Sequence, residues 1–368
     1  MADIWLSSMT IKHNNQHSVG TPDSANNRQS LDFERSLVAL EDQIAELQAL
    51  RYAEGIDFSP EIRRLQQELV RLTTRVYNNL SAWQTVQVAR HPSRPVLGDY
   101  LEMMVQDFCE LHGDRNFADD RAIITGFGRI EREKVLIVGH NKGRGLKEKS
   151  ACNFGSAHPE GYRKALAKMK LAQKFQLPIV CLIDTPGAYP GIGAEERGQA
   201  HAIAHNMMEM SRLKVPVICI VISEGGSGGA LGIGIGDRMA ILQFAYYSVI
   251  SPEGCASILW KDKDRAPAAA AALKLTAKDV LSHHVVDEII PEPLGAAHKN
   301  PREAIHNVKT YILKELRTLR RYDLDRLIEN RYQKFRQMGE FQILNDHSSK
   351  KEVENAISQI HNPAPCAL

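Results

Sequence analysis

Two stretches near the start of the chain carry apolar residues at every third or fourth position. In residues 37–50, and again in residues 62–80, this spacing predicts an amphipathic helix. Gly55, Ser59 and Pro60 supply a turn and a helix start between them. We therefore expect a helical hairpin within residues 31–90 that packs on a neighbouring domain.

A link over residues 90–95 contains two prolines, which forbid continued helix. The pattern beyond it predicts a compact domain over residues 91–300. This domain begins with a helix at residues 99–111 and paired strands at residues 122–130 and 135–139.

The centre of the predicted domain alternates between helical spacing and short, wholly apolar runs. Helices are predicted at residues 159–175 and 194–213, and buried strands at residues 178–183 and 215–222. This alternation is typical of a βαβ unit with parallel strands, which indicates an α/β fold.

The rest of the pattern is weaker. Short strands are predicted at residues 239–244 and 248–250, and a charge-rich helical tail at residues 301–338. Residues 1–30 are polar and predict a disordered extension, whereas residues 339–368 lose periodicity and predict a frayed tail.

The balance of charge excludes several classes of function. The chain has 46 Lys and Arg against 44 Asp and Glu, so neither a nucleic-acid partner nor a polybasic membrane anchor is expected. The best apolar run, residues 215–222, is too short to cross a bilayer. Six scattered cysteines without zinc-ligand spacing indicate reduced thiols, a cytoplasmic location and no metal site.

Two glycine-rich loops, residues 184–193 and 224–231, each follow a predicted buried strand. Because the carboxyl ends of parallel strands meet at one sheet edge, the loops should line one crevice. Gly228 and Gly229 lie where a helix begins, so their N–H groups should face a developing anion. Such an oxyanion hole stabilises an enolate or an alkoxide, and one donor is typically worth about 3 kcal/mol of barrier.

Other interpretations of these loops remain open at this point. The glycines alone would permit tight packing of a helix on a strand. Residues 225–229 fit G-x-S-x-G, which makes Ser227 a candidate nucleophile with His283 or His284 as its base. Residues 184–187 fit the D-x-x-G of a GTPase, but the chain lacks G-x-x-x-x-G-K-[ST], so a nucleotide switch is excluded. A further interpretation is enolate formation from a thioester, a reaction that needs an oxyanion hole but no nucleophilic side chain.

Five runs of sequence closely resemble one family. They are residues 89–92 (ARHP), 159–165 (PEGYRKA), 184–198 (DTPGAYPGIGAEERG), 224–231 (EGGSGGAL) and 248–260 (SVISPEGCASILW). On these motifs the chain resembles the carboxyltransferase alpha subunits of bacterial and plastid acetyl-CoA carboxylases, over roughly residues 31–338. The resemblance implies a crotonase-like (ClpP/crotonase) α/β superhelix of ββα turns with an N-terminal helical hairpin and a C-terminal helical tail.

The same resemblance implies half of an enzyme. In this family the alpha chain pairs with a beta chain as a heterotetramer, which transfers a carboxyl group from carboxybiotin to acetyl-CoA and yields malonyl-CoA for fatty acid biosynthesis. Carboxybiotin arrives on a biotin carboxyl carrier protein, and biotin carboxylase in the larger complex binds ATP. No covalently bound cofactor is expected here, and zinc is expected only on the beta chain, whose four-cysteine ribbon this sequence lacks.

Residue by residue, the resemblance implies roles within the two loops. Gly228 and Gly229 look like the oxyanion hole for the ureido oxygen of biotin, whereas the partner chain would hold the acetyl enolate and most of the acyl-CoA. Since no histidine or carboxylate is an obvious base, the released biotin anion is expected to remove the acetyl proton. The residues similar to the wall of the biotin cavity are Gly187, Ala188, Tyr189, Gly191 and Gly193.

Cationic residues at 142–149 are a further candidate surface. Lys142 and Arg144 could contact CoA phosphates or an acidic carrier protein, although a solvated loop is the simpler explanation. The leading hypothesis is therefore an alpha subunit that is inactive without its partner. The alternatives are a serine hydrolase that uses Ser227 and a non-catalytic scaffold that shapes the partner.

Overall fold

The computed structural model describes residues 30–54 and 57–339. Apart from residues 30 and 339, the predicted extension (1–30) and the predicted tail (339–368) lie outside the described residues. The helices are α1 (Arg35–Glu54), α2 (Ser59–Asn78), α3 (Ala82–Ala89), α4 (Leu97–Met104), α5 (Gly145–Ala151), α6 (Pro159–Lys174), α7 (Ile192–Glu196), α8 (Gln199–Ser211), α9 (Ser227–Leu231), α10 (Pro252–Trp260), α11 (Ala266–Ala272), α12 (Ala277–Ser282), α13 (Pro301–Leu319) and α14 (Leu324–Arg336). The strands are β1 (Gln106–Glu110), β2 (Ile123–Ile130), β3 (Glu133–His140), β4 (Ile179–Thr185), β5 (Val217–Gly226), β6 (Arg238–Leu242), β7 (Tyr246–Ser248) and β8 (Glu288–Ile290). Short 3₁₀ helices lie at Asp32–Glu34, Asn153–Gly155 and Lys263–Arg265.

An eight-stranded mixed sheet forms the centre of the domain, in the order β1-β2-β3-β4-β5-β6-β8, with β7 paired to the end of β5. Strands β1, β2 and β3 are antiparallel neighbours, whereas β3, β4, β5, β6 and β8 run parallel. Every residue of β4 and β5 is buried, as expected for parallel strands covered on both faces. The predicted antiparallel pair and the predicted βαβ unit are both confirmed.

The main core lies between this sheet and the helices on its faces. Helix α6 begins at Pro159, whose fixed φ suits a first turn, and contributes Tyr162 and Met169. Helix α13 contributes Val308 and Ile312 to the same cluster. The C-terminal helices are therefore part of the packed domain.

The predicted helix over residues 99–111 is wrong in its second half. Helix α4 ends at Met104, and β1 then pairs antiparallel with β2. A Cβ atom at Gly126 or Gly128 of β2 would clash with the Phe108 and Val105 side chains, so the two glycines admit this strand. Tertiary pairing here overrides a local helical spacing.

One other predicted helix is interrupted. The helix predicted at residues 194–213 is divided into α7 and α8 by Gly198, whose φ of +82° lies in the left-handed region. The tail predicted at residues 301–338 is divided into α13 and α14. The strands predicted at residues 239–244 and 248–250 are present as β6 and β7, displaced by one or two residues.

Helices α1 and α2 pack on each other and on the domain, as predicted. Leu37 of α1 and Tyr77 of α2 share one apolar cluster with Val88, Phe244 and Ala296. The last two belong to the domain, and the Tyr77 and Phe244 rings meet edge to face at 5.4 Å. The hairpin is therefore docked rather than free.

Glu34 is a buried polar member of this contact. It accepts hydrogen bonds from the Tyr77 hydroxyl at 2.5 Å and the Leu31 N–H at 2.9 Å, and His298 Nε2 lies 3.6 Å from Oε1. Burial opposes the charged form, but these neighbours prevail and lower the pKa of the Glu34 carboxyl to about 2. A charged Glu34 therefore helps to hold the hairpin against the domain.

Replacing Glu34 by glutamine is expected to cost about 1–3 kcal/mol of stability at neutral pH, because the buried Tyr77 hydroxyl loses a charged acceptor. The folded-state pKa lies below the ordinary value of 4.5, so this stabilisation is present above about pH 5 and is lost as the pH falls towards 2. Urea unfolding of both proteins at a series of pH values measures the difference. A difference that does not narrow below pH 5 would contradict this role.

Arg331 anchors the last described helix. Its buried guanidinium pairs with Asp237 at 2.7 Å and donates to the carbonyl groups of Met210 and Val215. Asp237 also accepts the N–H of Val217, the first residue of β5, at 2.7 Å. One buried ion pair thus joins the C-terminal helix to the start of a central strand.

No helix in the described ranges is both long and apolar enough to cross a bilayer. The five cysteines within those ranges are free thiols; four are buried and Cys109 is exposed. Cys255 is one of the buried four.

Candidate active site

The two glycine-rich loops leave the sheet side by side. Strands β4 and β5 are parallel neighbours, with Cys181 opposite Cys219 and Thr185 opposite Gly225. Both strands therefore end at the same edge, and the loops that follow them begin there. The predicted placement of residues 184–193 and 224–231 at one edge is confirmed.

The loops also touch each other through their backbones. A Cβ atom at Gly229 would lie 2.6 Å from the Ala188 nitrogen and 2.6 Å from the Gly187 carbonyl carbon. A Cβ atom at Gly226 would overlap the backbone of Pro186 in the same way. Only glycine permits this approach, so the second loop must have glycine at these two positions to contact the first loop.

Several backbone N–H groups in this contact are available as donors. Gly228 and Gly229 lie in the first turn of α9, where an N–H group has no acceptor within the helix. The Ala188 N–H has no acceptor among the described residues. Backbone donors from both loops therefore lie near the point where the loops meet.

A cavity of about 520 Å³ opens at this point, and we call it the loop cavity. Of the residues that the sequence singled out, Gly187, Ala188, Tyr189, Gly191 and Gly228 line it. Gly229 is buried behind this surface against the first loop, and Gly193 lies in α7 outside the lining. Five of the seven predicted loop residues thus share one wall.

Tyr189 is fixed by residues that the sequence did not point to. Its ring stacks on His158 at 4.1 Å between centroids, and its N–H donates to the Ala157 carbonyl at 3.0 Å. Gln199, the first residue of α8, donates through Nε2 to the carbonyl oxygens of Tyr189 and Ala157 at 2.9 and 2.8 Å. The break between α7 and α8 at Gly198 positions the side-chain amide of Gln199. The position of Tyr189 therefore depends on a helix interruption that the apolar spacing of residues 194–213 did not predict.

A buried ion network lies behind the loops. Asp184 and Glu224, near the ends of β4 and β5, share the Lys142 ammonium, which is 2.6 Å from Asp184 Oδ1. Arg90 Nε and the Tyr246 hydroxyl each lie 2.5 Å from Glu224 Oε1. Burial opposes ionisation of Glu224, but Lys142 and Arg90 lower the pKa of its carboxyl to about 2. The network holds the ends of β4 and β5 together through the Lys142 ammonium that they share.

Lys142 and Arg144 line a different cavity, of about 530 Å³, beside the link. Only 16% of the Lys142 side chain is exposed, and its charge is matched by Asp184 and Glu224, so it does not lie on a solvated loop. Arg144 is 61% exposed and pairs with Asp99. A contact of either residue with CoA or a carrier protein stays a prediction, and the ion pairs give Lys142 a structural role.

Ser227 stands at the turn into α9 with an exposed side chain and a φ of +52°, in the left-handed region. A nucleophile would need a base within hydrogen-bond reach. Among the described residues, no hydrogen bond joins Ser227 to His283 or His284, which lie at the end of α12. The geometry gives the hydrolase hypothesis no catalytic pair.

A family model for acetyl co-enzyme A carboxylase carboxyltransferase-like proteins matches residues 30–339. The acetyl-coenzyme A carboxylase carboxyl transferase subunit alpha of Rhodopirellula baltica is 55% identical over 312 residues, covering 84% of this chain and 97% of that protein. The subunit of the same name from Thermus thermophilus is 54% identical over 311 residues, covering 84% and 98%. A transcarboxylase 12S crystal structure gives a TM-score of 0.49 at 16% identity, and the chain spans 46% of that longer chain.

The architecture of the described residues, a mixed sheet with helices on its faces, agrees with the crotonase-like class that the motifs implied. The family model covers the hairpin, the sheet and the C-terminal helices together. The relatives match over nearly their whole length. The chain therefore belongs to the family of acetyl-CoA carboxylase carboxyltransferase alpha subunits.

Proposed function

We propose that this chain is the catalytic alpha half of a carboxyltransferase. Together with a beta subunit, it transfers a carboxyl group from carboxybiotin to acetyl-CoA and yields malonyl-CoA. The observation that carries this proposal is the contact between the two loops, which puts Ala188 and Gly228 in the lining of one cavity. The name and high identity of the relatives support the same reaction.

The loop cavity suits the bicyclic ring of biotin. Its volume of about 520 Å³ lies in the range of small-molecule sites. The ureido oxygen of biotin accepts hydrogen bonds, and the converging backbone N–H groups are donors whatever the pH. Glycines keep the wall free of side chains, and the fixed Tyr189 ring offers one flat apolar face.

Negative charge develops on the ureido oxygen as the carboxyl group leaves the neighbouring nitrogen. We propose that the N–H groups of Ala188 and Gly228, which line the cavity, meet this charge without rearrangement, at about 3 kcal/mol for each effective donor. Gly229, buried behind them, holds the two loops in contact. The acetyl methyl group loses its proton to the vacated nitrogen and bonds to the transferred carbon. No side chain of this chain is then required as a base.

The relatives are named as alpha subunits, which implies a beta-subunit partner. We propose that two chains of each kind form the enzyme, that the zinc lies on beta, and that beta holds most of the acyl-CoA. A biotin carboxyl carrier protein delivers the carboxyl group, and biotin carboxylase loads it within the larger complex. We also propose a cytoplasmic location, and the free thiols of the described cysteines support it.

The test is reconstitution. We expect malonyl-CoA decarboxylation in the presence of free biotin only after a zinc-bearing beta chain of the same family is added to this chain. Release of acetyl-CoA measures the rate, and each chain alone serves as the control. Activity from this chain alone, or an assembled complex without activity, would contradict the proposal.

A further inference from the structure

A second cavity, of about 570 Å³, also borders Ser227 and Gly228. We call it the apolar cavity, because its wall is mainly aliphatic and aromatic. Lys274 and His283, both exposed, also border it. Its apolar lining consists of Leu231, Tyr247, Val249, Leu273, Val280 and Val285.

The two cavities share a ridge. Ser227, Gly228 and Val249 line both of them, and Val249 is 77% exposed at the boundary. The loop cavity is walled mainly by the glycine-rich loop with its backbone donors, whereas the apolar cavity offers hydrocarbon. A reaction between two bound molecules needs the reacting atoms within about 3–3.5 Å of each other, so its two substrates must meet at a ridge of this kind.

Building on the proposed function, we propose that the apolar cavity receives the acyl chain of the acyl-CoA. The carbon that accepts the carboxyl group then lies beside Gly228, opposite the ureido ring, and its hydrocarbon substituent lies among Leu231, Leu273 and Val285. This chain, and not only its beta partner, thereby selects the length of the acyl group. An apolar pocket distinguishes one methylene by about 10- to 200-fold in kcat/KM, which sets the scale of the effect.

Two substitutions of opposite volume test this. In the reconstituted complex, free-biotin-dependent decarboxylation is measured with malonyl-CoA and with methylmalonyl-CoA, whose additional methyl group corresponds to that of a propionyl chain. Val285→Phe should lower the ratio of kcat/KM for methylmalonyl-CoA to that for malonyl-CoA by about fivefold or more, and Leu273→Ala should raise it by a similar factor. The KM for biotin should stay within about twofold of the wild-type value.

The ratio is taken on one preparation, so a variant that is partly unfolded changes both rates equally and leaves the ratio intact. Val70→Phe, the same substitution at a position 53% exposed on α2, is the matched control and should not change the ratio. If Val285→Phe does not assemble with beta, the ratio measured for Leu273→Ala decides whether the apolar cavity receives the acyl chain.

The inference would be overturned if every assembled cavity variant had a ratio of kcat/KM for methylmalonyl-CoA to that for malonyl-CoA within twofold of wild type. The proposed function would remain intact. A raised KM for biotin with an unchanged ratio would also overturn the inference, since the cavity would then serve the biotin side. A wild-type complex that decarboxylates neither thioester would refute the proposed function, and the inference with it.

Discussion

Replacing Gly229 by valine is expected to lower the turnover number of the reconstituted carboxyltransferase at least about 100-fold. Any Cβ at this position would lie 2.6 Å from the Ala188 nitrogen, so the two loops must move apart. The donors on either side of the contact then no longer converge, and loss of one such donor typically costs about 10²–10³ in kcat. Malonyl-CoA decarboxylation at saturating free biotin measures the effect.

Gly98→Ala is the matched control for this substitution. Gly98 lies in α4, and a Cβ built there meets nothing within 4 Å. This variant should assemble with beta and turn over at nearly the wild-type rate. If the Gly229→Val complex also assembled and retained wild-type turnover, the oxyanion hole would lie elsewhere and the scaffold hypothesis would gain support.

Replacing Lys142 by methionine is expected to destabilise the folded chain by about 3–5 kcal/mol. The ammonium lies between the buried carboxylates of Asp184 and Glu224. Its removal leaves Asp184 without its charged partner and Glu224 with Arg90 alone, and breaking one side of a buried ion pair typically costs this much. Urea unfolding followed by circular dichroism measures the difference in the free energy of unfolding.

Arg144→Met tests whether the effect belongs to the buried network or to positive charge in this loop. Arg144 is 61% exposed, and its buried partner Asp99 also accepts the Val96 N–H at 2.8 Å, so the loss of Arg144 should cost only about 1 kcal/mol. Equal losses for the two variants would contradict the structural role of Lys142. An unchanged unfolding free energy for Lys142→Met, together with a raised KM for malonyl-CoA, would instead support the predicted contact with CoA.

The sheet centre and its loops could be predicted from sequence because their signals are local. A parallel strand covered on both faces must be largely apolar, so residues 179–183 of β4 and 217–222 of β5 are continuous apolar runs. The glycines of residues 225–229 mark a close approach of backbone, and the structure shows what they approach. In both cases the residues that meet the structural requirement are the same residues that show it in the sequence.

Other features carry no local signal. Strand β1 depends on room left by Gly126 and Gly128 in another strand, so the helical spacing of residues 99–111 was misleading. Arg90 and Glu224 are 134 residues apart, and the sequence around either residue does not predict that the two form an ion pair. The one available signal for this network was the carboxylate near the end of each apolar run, Asp184 in β4 and Glu224 in β5. An acid at the end of a buried strand needs a cationic partner.

The buried pair of Arg331 and Asp237 has a consequence for where the polypeptide can be shortened. Cleavage anywhere before residue 331 would leave the buried Asp237 carboxylate without its cationic partner at the start of β5, the same strand whose far end leads into the glycines of the proposed oxyanion hole. A residue of the C-terminal helix α14 therefore supports a strand whose glycine-rich end was made about a hundred positions earlier, and we expect that support to form only after residue 331 has been synthesised.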